Sequence, residues 1–241
     1  MLQALGFRAL ATTSAGFAWS LGRLDGRVTR EEKLAHCRAI VEAVDLPVSA
    51  DLENGFGREP EVVAETIRLA AETGLAGGSI EDFSGDPANP IYDVSLALDR
   101  IHAAVEAARA LPAPFVLTAR CENLLHGRMN LDDTIHRLQA FESAGADVLY
   151  APGLATVEEV RQVTGALSTP VNVLGPMVTG ATVGELIDAG AKRISLGGAL
   201  ARAALGGLLD AATAVRDTGR FDGFGDAASR ARVAELLRRW A

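Results

Sequence analysis

The chain has 241 residues, with 23 Lys+Arg against 31 Asp+Glu, for a formal net charge of -8. Hydrophobic residues make up 49% and charged residues 22%, which excludes global disorder and supplies apolar surface for one large core. The acidic balance argues against a general nucleic-acid binder, no apolar run reaches the ~18–20 residues of a membrane span, and two cysteines make neither a disulfide framework nor a four-cysteine zinc site.

The opening MLQALGF reads as the last turns of a helix leading into a strand over Ala9–Ser14. It has no basic segment followed by a long apolar run, so no signal peptide is expected and the cytoplasm is the default location. Thr29–Val44 reads as a helix, with Thr29 at the N-cap and Glu32 three residues on in the capping-box pattern. A strand follows at Pro47–Glu53, then a helix at Glu59–Thr73 with Pro60 suited to its first position and Gly74 as its stop. Strands at Gly77–Asp82, Phe115–Cys121, Asp147–Ala151, Val171–Leu174 and Arg193–Leu196 alternate with helices at Val94–Ala110, Leu131–Ala144, Thr156–Leu167 and Thr182–Ala189. The chain closes with an Ala-rich helix, Ala199–Asp217, and another over Ala227–Trp240.

Strands alternating with helices imply parallel pairing through βαβ crossovers. The helix-Gly-strand rhythm, without a long linker, favours one (β/α)8 TIM-type barrel spanning residues 1–241. A doubly wound sheet is the alternative, but no GxGxxG turn follows an early strand. The strand count is seven, so a barrel of eight needs one more strand before residue 1. A mis-assigned start explains the deficit better than a natural seven-strand barrel.

In a parallel barrel the chemistry gathers at the C-terminal strand ends. Those ends offer Thr13–Gly16, Asp51 to Gly55, Glu81-Asp82, Arg120-Cys121-Glu122, Tyr150 and Asn172. By strand alternation Asp51 and Glu53 point the same way, with Glu81 on the next strand. Three converging carboxylates need a cation, and an all-oxygen set suits Mg²⁺ or Mn²⁺ better than zinc. The competing reading has one or two of these acids capping helices. Arg120 either pairs with those acids or clamps a substrate carboxylate with its planar fork. Ser14, Ala15 and Gly16 offer a hydroxyl and backbone N–H groups to an anionic oxygen, although small residues also simply fill turns. His126 is expected near the rim. His36, His102, His136 and Cys37 fall in helical patterns, and Cys121 is expected to be buried toward the helices. Lys33 and Lys192 are the only lysines, one in a helical pattern and one just before a strand, so imine chemistry is not expected.

TTSAGFAWSLGRLDG, SADLENGFG, GGSIED, LTARCEN, GADVLYAPG and TPVNVL, in this order, resemble the isocitrate lyase/phosphoenolpyruvate mutase superfamily over essentially the whole chain. The nearest likeness is to small bacterial members related to 2-methylisocitrate lyase, carboxyvinyl-carboxyphosphonate phosphorylmutase and oxaloacetate decarboxylase. The resemblance implies a (β/α)8 barrel lacking its first strand, Mg²⁺, and substrates passing through a pyruvate enolate or related 2-oxo acid. It implies that Ser14, Ala15 and Gly16 bind the substrate carboxylate, and that Asp25 reaches the metal site from a loop. It further implies that Asp51 is the principal metal ligand, with Glu53 and Glu81 beside it, and that Arg120 and Asn172 contact substrate. Catalytic roles would fall to Arg120, Asp25 and Ser14.

The departures are as informative. Lyases of the superfamily carry a K-[KR]-C-G-H motif after the IED strand, whose Cys is an acid/base; here that stretch is EDFSGDPANPIYDV. The mutase gating-loop Lys and Asn are missing too, with Asn89 a loose candidate. The resemblance therefore implies a Mg²⁺-dependent carbon–carbon lyase or decarboxylase acting on a small, oxaloacetate-like 2-oxo or 2-hydroxy carboxylate. Phosphonomutase-type P–C chemistry is the alternative, and a non-catalytic 2-oxo-acid binder is the alternative of another class. Family members exchange their terminal helices, so residues 200–241 are expected to reach a neighbouring subunit in a homotetramer.

Overall fold

The computed structural model describes residues 1–221, 223–224 and 227–238. Seven parallel strands lie side by side in chain order: β1 (Leu10–Ala11), β2 (Val48–Asp51), β3 (Gly77–Glu81), β4 (Val116–Arg120), β5 (Val148–Tyr150), β6 (Val171–Leu174) and β7 (Arg193–Ser195). Between them run α1 (Ser14–Ser20), α2 (Arg30–Glu42), α3 (Pro60–Ala71), α4 (Val94–Arg109), α5 (Leu131–Ser143), α6 (Val157–Gly165) and α7 (Val183–Asp188). The sheet curls into a nearly closed TIM-type barrel. Arg193 at the start of β7 donates from Nη2 to Thr118 Oγ1 on β4, 3.0 Å away, which only a curled sheet allows. Among the described residues β1 pairs only with β2 and β7 only with β6, so the open seam lies between β7 and β1.

Strand alternation divides the side chains. Ile80, Ala119, Leu149 and Val173 turn outward and are buried against Val63, Ile67, Ile101, Leu138, Phe141 and Val163 of the helices. Their neighbours along the chain turn inward. Parallel register sets Glu81 opposite Arg120, Arg120 opposite Tyr150, Tyr150 opposite Asn172, and Asn172 opposite Arg193. One cross-strand row thus lines the interior with five polar residues.

The helices begin where their N-terminal amides find acceptors. Thr29 with Glu32, Thr156 with Glu159 and Thr182 with Glu185 each form a complete capping box. The first strand is shorter than the sequence pattern suggests, because Thr13 caps a helix. Its hydroxyl accepts from Gly16 N at 3.4 Å, and Ser14–Ser20 continues as α1. The small residues there answer to packing, since a Cβ on Gly16 would stand 3.3 Å from the Ala201 Cβ. After β7 come α8 (Ala199–Thr218) and α9 (Ala227–Arg238). The expected end of the last helix, Trp240, lies outside the described residues. No residue of α8 is buried. No helix among the described residues is long and apolar enough to cross a membrane.

The loop after β2 is held from behind by a residue the sequence reading passed over. Arg100 on α4 is buried, stands 4.5 Å from the Tyr92 ring centroid, and donates to the carbonyls of Asn54, Gly57 and Arg58. Thr66 of α3 donates to Gly55 O at 2.8 Å. These contacts hold a turn in which Glu53 (φ 52) and Phe56 (φ 62) occupy the left-handed region. Replacing Arg100 with Leu strands three carbonyls under apolar cover. At ~1–3 kcal/mol for each unsatisfied buried group, partly relieved by water, Arg100→Leu should lower stability by about 2–4 kcal/mol. Urea unfolding measures this, and an unchanged midpoint would remove Arg100 as the anchor of the loop.

Candidate active site

The site forms at the C-terminal ends of β2, β3 and β4, around the Arg120 guanidinium. Arg120 Nη1 reaches Asp51 Oδ1 at 2.8 Å, Nη2 reaches Glu81 Oε2 at 3.2 Å, and Nη2 and Nε reach Glu122 Oε1 at 2.8 and 3.0 Å. The Tyr150 ring lies 5.2 Å from the guanidinium carbon. Of the two roles foreseen for Arg120, the structure displays the pairing with acids.

Asp51 is saturated with donors. Its Oδ1 accepts from Arg120 and from Glu53 N at 3.2 Å, and its Oδ2 accepts from Ser14 N at 3.3 Å. Burial pushes its carboxyl upward, but Arg120, Lys33 and the two amides overcome this and hold it at about 2. The Ser14 amide is therefore engaged by Asp51 and the Gly16 amide by Thr13, so these two are not free for an anion as the sequence suggested.

Glu53 joins the cluster by a different route from the one inferred. Strand β2 ends at Asp51, so the two-residue alternation does not apply, and a left-handed turn at Glu53 takes its place. The Glu53 Oε1 is buried without a hydrogen-bond partner. Burial, and then Asp51, push its carboxyl up to about 7. Glu81 is raised well above the usual carboxylate range by burial, with Glu122, Asp51 and Glu53 adding to the rise and Arg120 opposing it. Asp25 sits on an exposed loop and is felt electrostatically at Glu53.

Asn172 lies farther along the row. Its Oδ1 accepts from Arg193 Nε at 2.9 Å, and its Nδ2 donates to Ser195 Oγ at 3.0 Å. Asn89 lies on an exposed loop between β3 and α4. Cys121 is buried, and burial, followed by Asp82, raises its thiol well above the usual range, which makes it a poor nucleophile.

Lys33 departs from the sequence reading. Helical position suggested a side chain away from the chemistry. Instead it is fully buried, its Nζ has no hydrogen-bond partner, and its charge is felt at both Asp51 and Glu53. The one available signal was its place on the inward face of an otherwise apolar stripe with Cys37.

Asp51, Glu53, Glu81 and Glu122 together outnumber the cations Arg120 and Lys33. Hard oxygen donors, a partnerless buried carboxylate oxygen and two acids pushed toward protonation suit a divalent cation of the Mg²⁺ kind. As placed, no three acidic, His or Cys groups among the described residues stand close enough to hold an ion between them, because Arg120 occupies Asp51 and Glu81.

The raised acids set a pH dependence. Burial pushes Asp82 to about 6, as it pushes Glu53 to about 7. A carboxyl whose folded value exceeds its unfolded one favours the fold while protonated, and this contribution is lost as pH rises through the folded value. Thermal stability in chelator should therefore fall between about pH 4 and 7, and Glu53→Gln should flatten the upper part of that fall. Melting curves across this range decide it; an unaltered slope would show that Glu53 is ionised throughout.

The family described as phosphoenolpyruvate phosphomutase matches residues 1–216. A crystal structure from Burkholderia cenocepacia J2315, provisionally described as a lyase/mutase, superposes with a TM-score of 0.93 at 53% identity, covering 100% of this chain and 85% of that one. Oxaloacetate acetylhydrolase in complex with the product oxalate superposes with a TM-score of 0.82 at 27% identity, covering 96% and 82%. The 2-methylisocitrate lyase of Escherichia coli (strain K12) is 32% identical over 71% of this chain, which spans 59% of that enzyme.

Proposed function

The chain belongs to the phosphoenolpyruvate phosphomutase family, whose relatives include named lyases and mutases, and from that premise we propose that it cleaves a carbon–carbon bond in a small 2-oxo dicarboxylate resembling oxaloacetate. The observation that carries this reading is the Arg120 fork held at the barrel mouth among Asp51, Glu81 and Glu122. A planar cation on a rim of fixed acids can take a substrate carboxylate bidentately in exchange for one of its internal partners. The Tyr150 ring lies against the guanidinium, and Glu122 holds its Nε edge.

A Mg²⁺ or Mn²⁺ ion, held by Asp51 with Glu53 and Glu81, would supply Lewis-acid polarisation of the 2-oxo group. Asp25 would close on this ion from its loop, and Ser14 and Asn172 would edge the substrate from α1 and β6. The segment after Glu81 has no Cys, Lys or His through Asp93, so decarboxylation suits this site better than retro-aldol cleavage of an isocitrate or migration of a phosphoryl group. Oxaloacetate with Mg²⁺ should yield pyruvate, and EDTA should abolish the yield. Arg120→Lys keeps the charge but loses the fork, and should lower kcat/KM by about 10²-fold or more. A coupled lactate dehydrogenase assay reads both; full activity in either case would refute this assignment of the site.

We further propose that the outer face of α8 and α9 is covered in a homotetramer. Leu200, Leu208 and Leu209 are 47%, 63% and 64% exposed, and Leu237 is exposed on the next helix. Such a row exceeds the scattered apolar exposure of a monomer surface. Sedimentation velocity should give an oligomer, and Leu208→Glu with Leu209→Glu should dissociate it. A monomeric wild type at micromolar concentration would end this proposal.

A further inference from the structure

We infer that His126 is the proton carrier of this site, moving a proton to and from the carbon next to the substrate's 2-oxo group. The inference rests on the reading above, in that it names the acid/base of an enolate-forming reaction.

The geometry comes from two loops. After β4 the chain makes a short 3-10 turn, Asn123–His126, which brings His126 back beside Glu122. His126 Nε2 then lies 3.8 Å from Glu122 Oε2, while the other oxygen of Glu122 is bound to Arg120. One carboxylate therefore sits between the imidazole and the cation that would hold substrate. From the other side Phe83, two residues past Glu81, stacks on the imidazole with centroids 3.9 Å apart and planes 7° from parallel. Phe83 is itself fixed. It bridges to Ile91, and Ser84 N donates to Pro90 O at 2.8 Å, so the loop after β3 is tied at its base. The ring is thus held by an aromatic face with a carboxylate beside it, and 27% of its side chain is still exposed for exchange with solvent. A held imidazole with a carboxylate beside it and access to solvent suits general acid–base chemistry. Tyr150 and Cys121, two other protic groups near this rim, are pushed up by burial, to about 12 and well above the thiol range, and Glu53 and Glu81 are the carboxyls proposed to hold the metal.

The step balances without a further reagent. The imidazole takes a proton from C3 of pyruvate, the C–H pair becomes the C2–C3 double bond, and the carbonyl π pair moves to the C2 oxygen. The reverse step returns a proton from the imidazolium to C3 and restores the ketone.

Pyruvate methyl exchange in D₂O, followed by ¹H NMR with saturating Mg²⁺, tests this directly. Wild type should exchange. His126→Asn should exchange at least ~10²-fold more slowly, with half-saturation by pyruvate within about twofold of wild type. If His126→Asn exchanges at the wild-type rate while folded, His126 is not the carrier, and the lyase reading stands without it. If wild type neither exchanges pyruvate protons nor releases pyruvate from oxaloacetate, the lyase reading falls and this inference with it. Should the Asn variant fail to fold, His126→Gly takes its place: added imidazole must revive exchange, and a folded Gly variant that imidazole cannot revive overturns the assignment.

Discussion

The barrel mouth depends on one buried cation. Four carboxylates, from Asp51, Glu53, Glu81 and Glu122, converge where water is largely excluded, and each would be expensive to ionise alone. Arg120 lowers that cost unequally, and Glu81, 3.2 Å from it, is still raised by burial and its acidic neighbours. Asp51, in contact with Arg120 and two amides, stays ionised, whereas Glu53 lacks such contacts and rises to about 7. Lys33 contributes from behind, buried and without a hydrogen-bond partner, so its worth to the site is long-range and not directional. The opposed protonation tendencies of Asp51 and Glu53, two residues apart, are a consequence of where these cations sit.

The architecture was legible in the sequence because its signals are local. Capping residues, helix-stopping glycines and apolar runs mark each βα unit independently, and the strand ends follow from them. Asp51, Glu81 and Arg120 were found for that reason: each is the last residue of its strand. What the sequence hid depends on contacts distant along the chain. Arg100 holds a loop 42 to 46 residues away. Lys33 reads only as a residue of a helical pattern, away from the chemistry, until α2 is packed on the sheet. Glu53 was placed on the right side by the wrong argument, since strand alternation ends at Asp51 and a left-handed turn reorients the chain. The first turn of α1 was read as an anion cradle because its small residues suit one, whereas Thr13 and Asp51 take two of its amides.

The remaining polar residues of the interior follow from register. In a parallel sheet, paired residues face the same side, so placing Arg120 inward also places Tyr150, Asn172 and Arg193 inward. Two of these contact one another and the row's flank: Arg193 orients the Asn172 amide, and Asn172 passes its own donor to Ser195. With both faces of its amide engaged, Asn172 acts as a fixed surface. Arg193, lowered by burial and bonded to neutral acceptors, carries a positive charge into the wall opposite the acids. The interior is therefore polarised, with acids on β2 and β3 and a cation on β7.

That polarity constrains what can occupy the mouth. An anion drawn toward the barrel meets repulsion from the acid side and attraction from Arg193 and from whichever donors of Arg120 it can claim. A dicarboxylate has one charge for each cation; a monocarboxylate leaves one of them facing only neutral groups. The loops add a second constraint. Asp82, buried and paired with Arg137 at 3.4 Å, accepts from Glu122 N at 2.8 Å, so the turn carrying Glu122 is tied to the end of β3. Arg137 also donates to Tyr92 O, which anchors the far end of the loop bearing Phe83. The two loops that bracket His126 are thus joined beneath it by one buried ion pair, which stiffens the rim on that side.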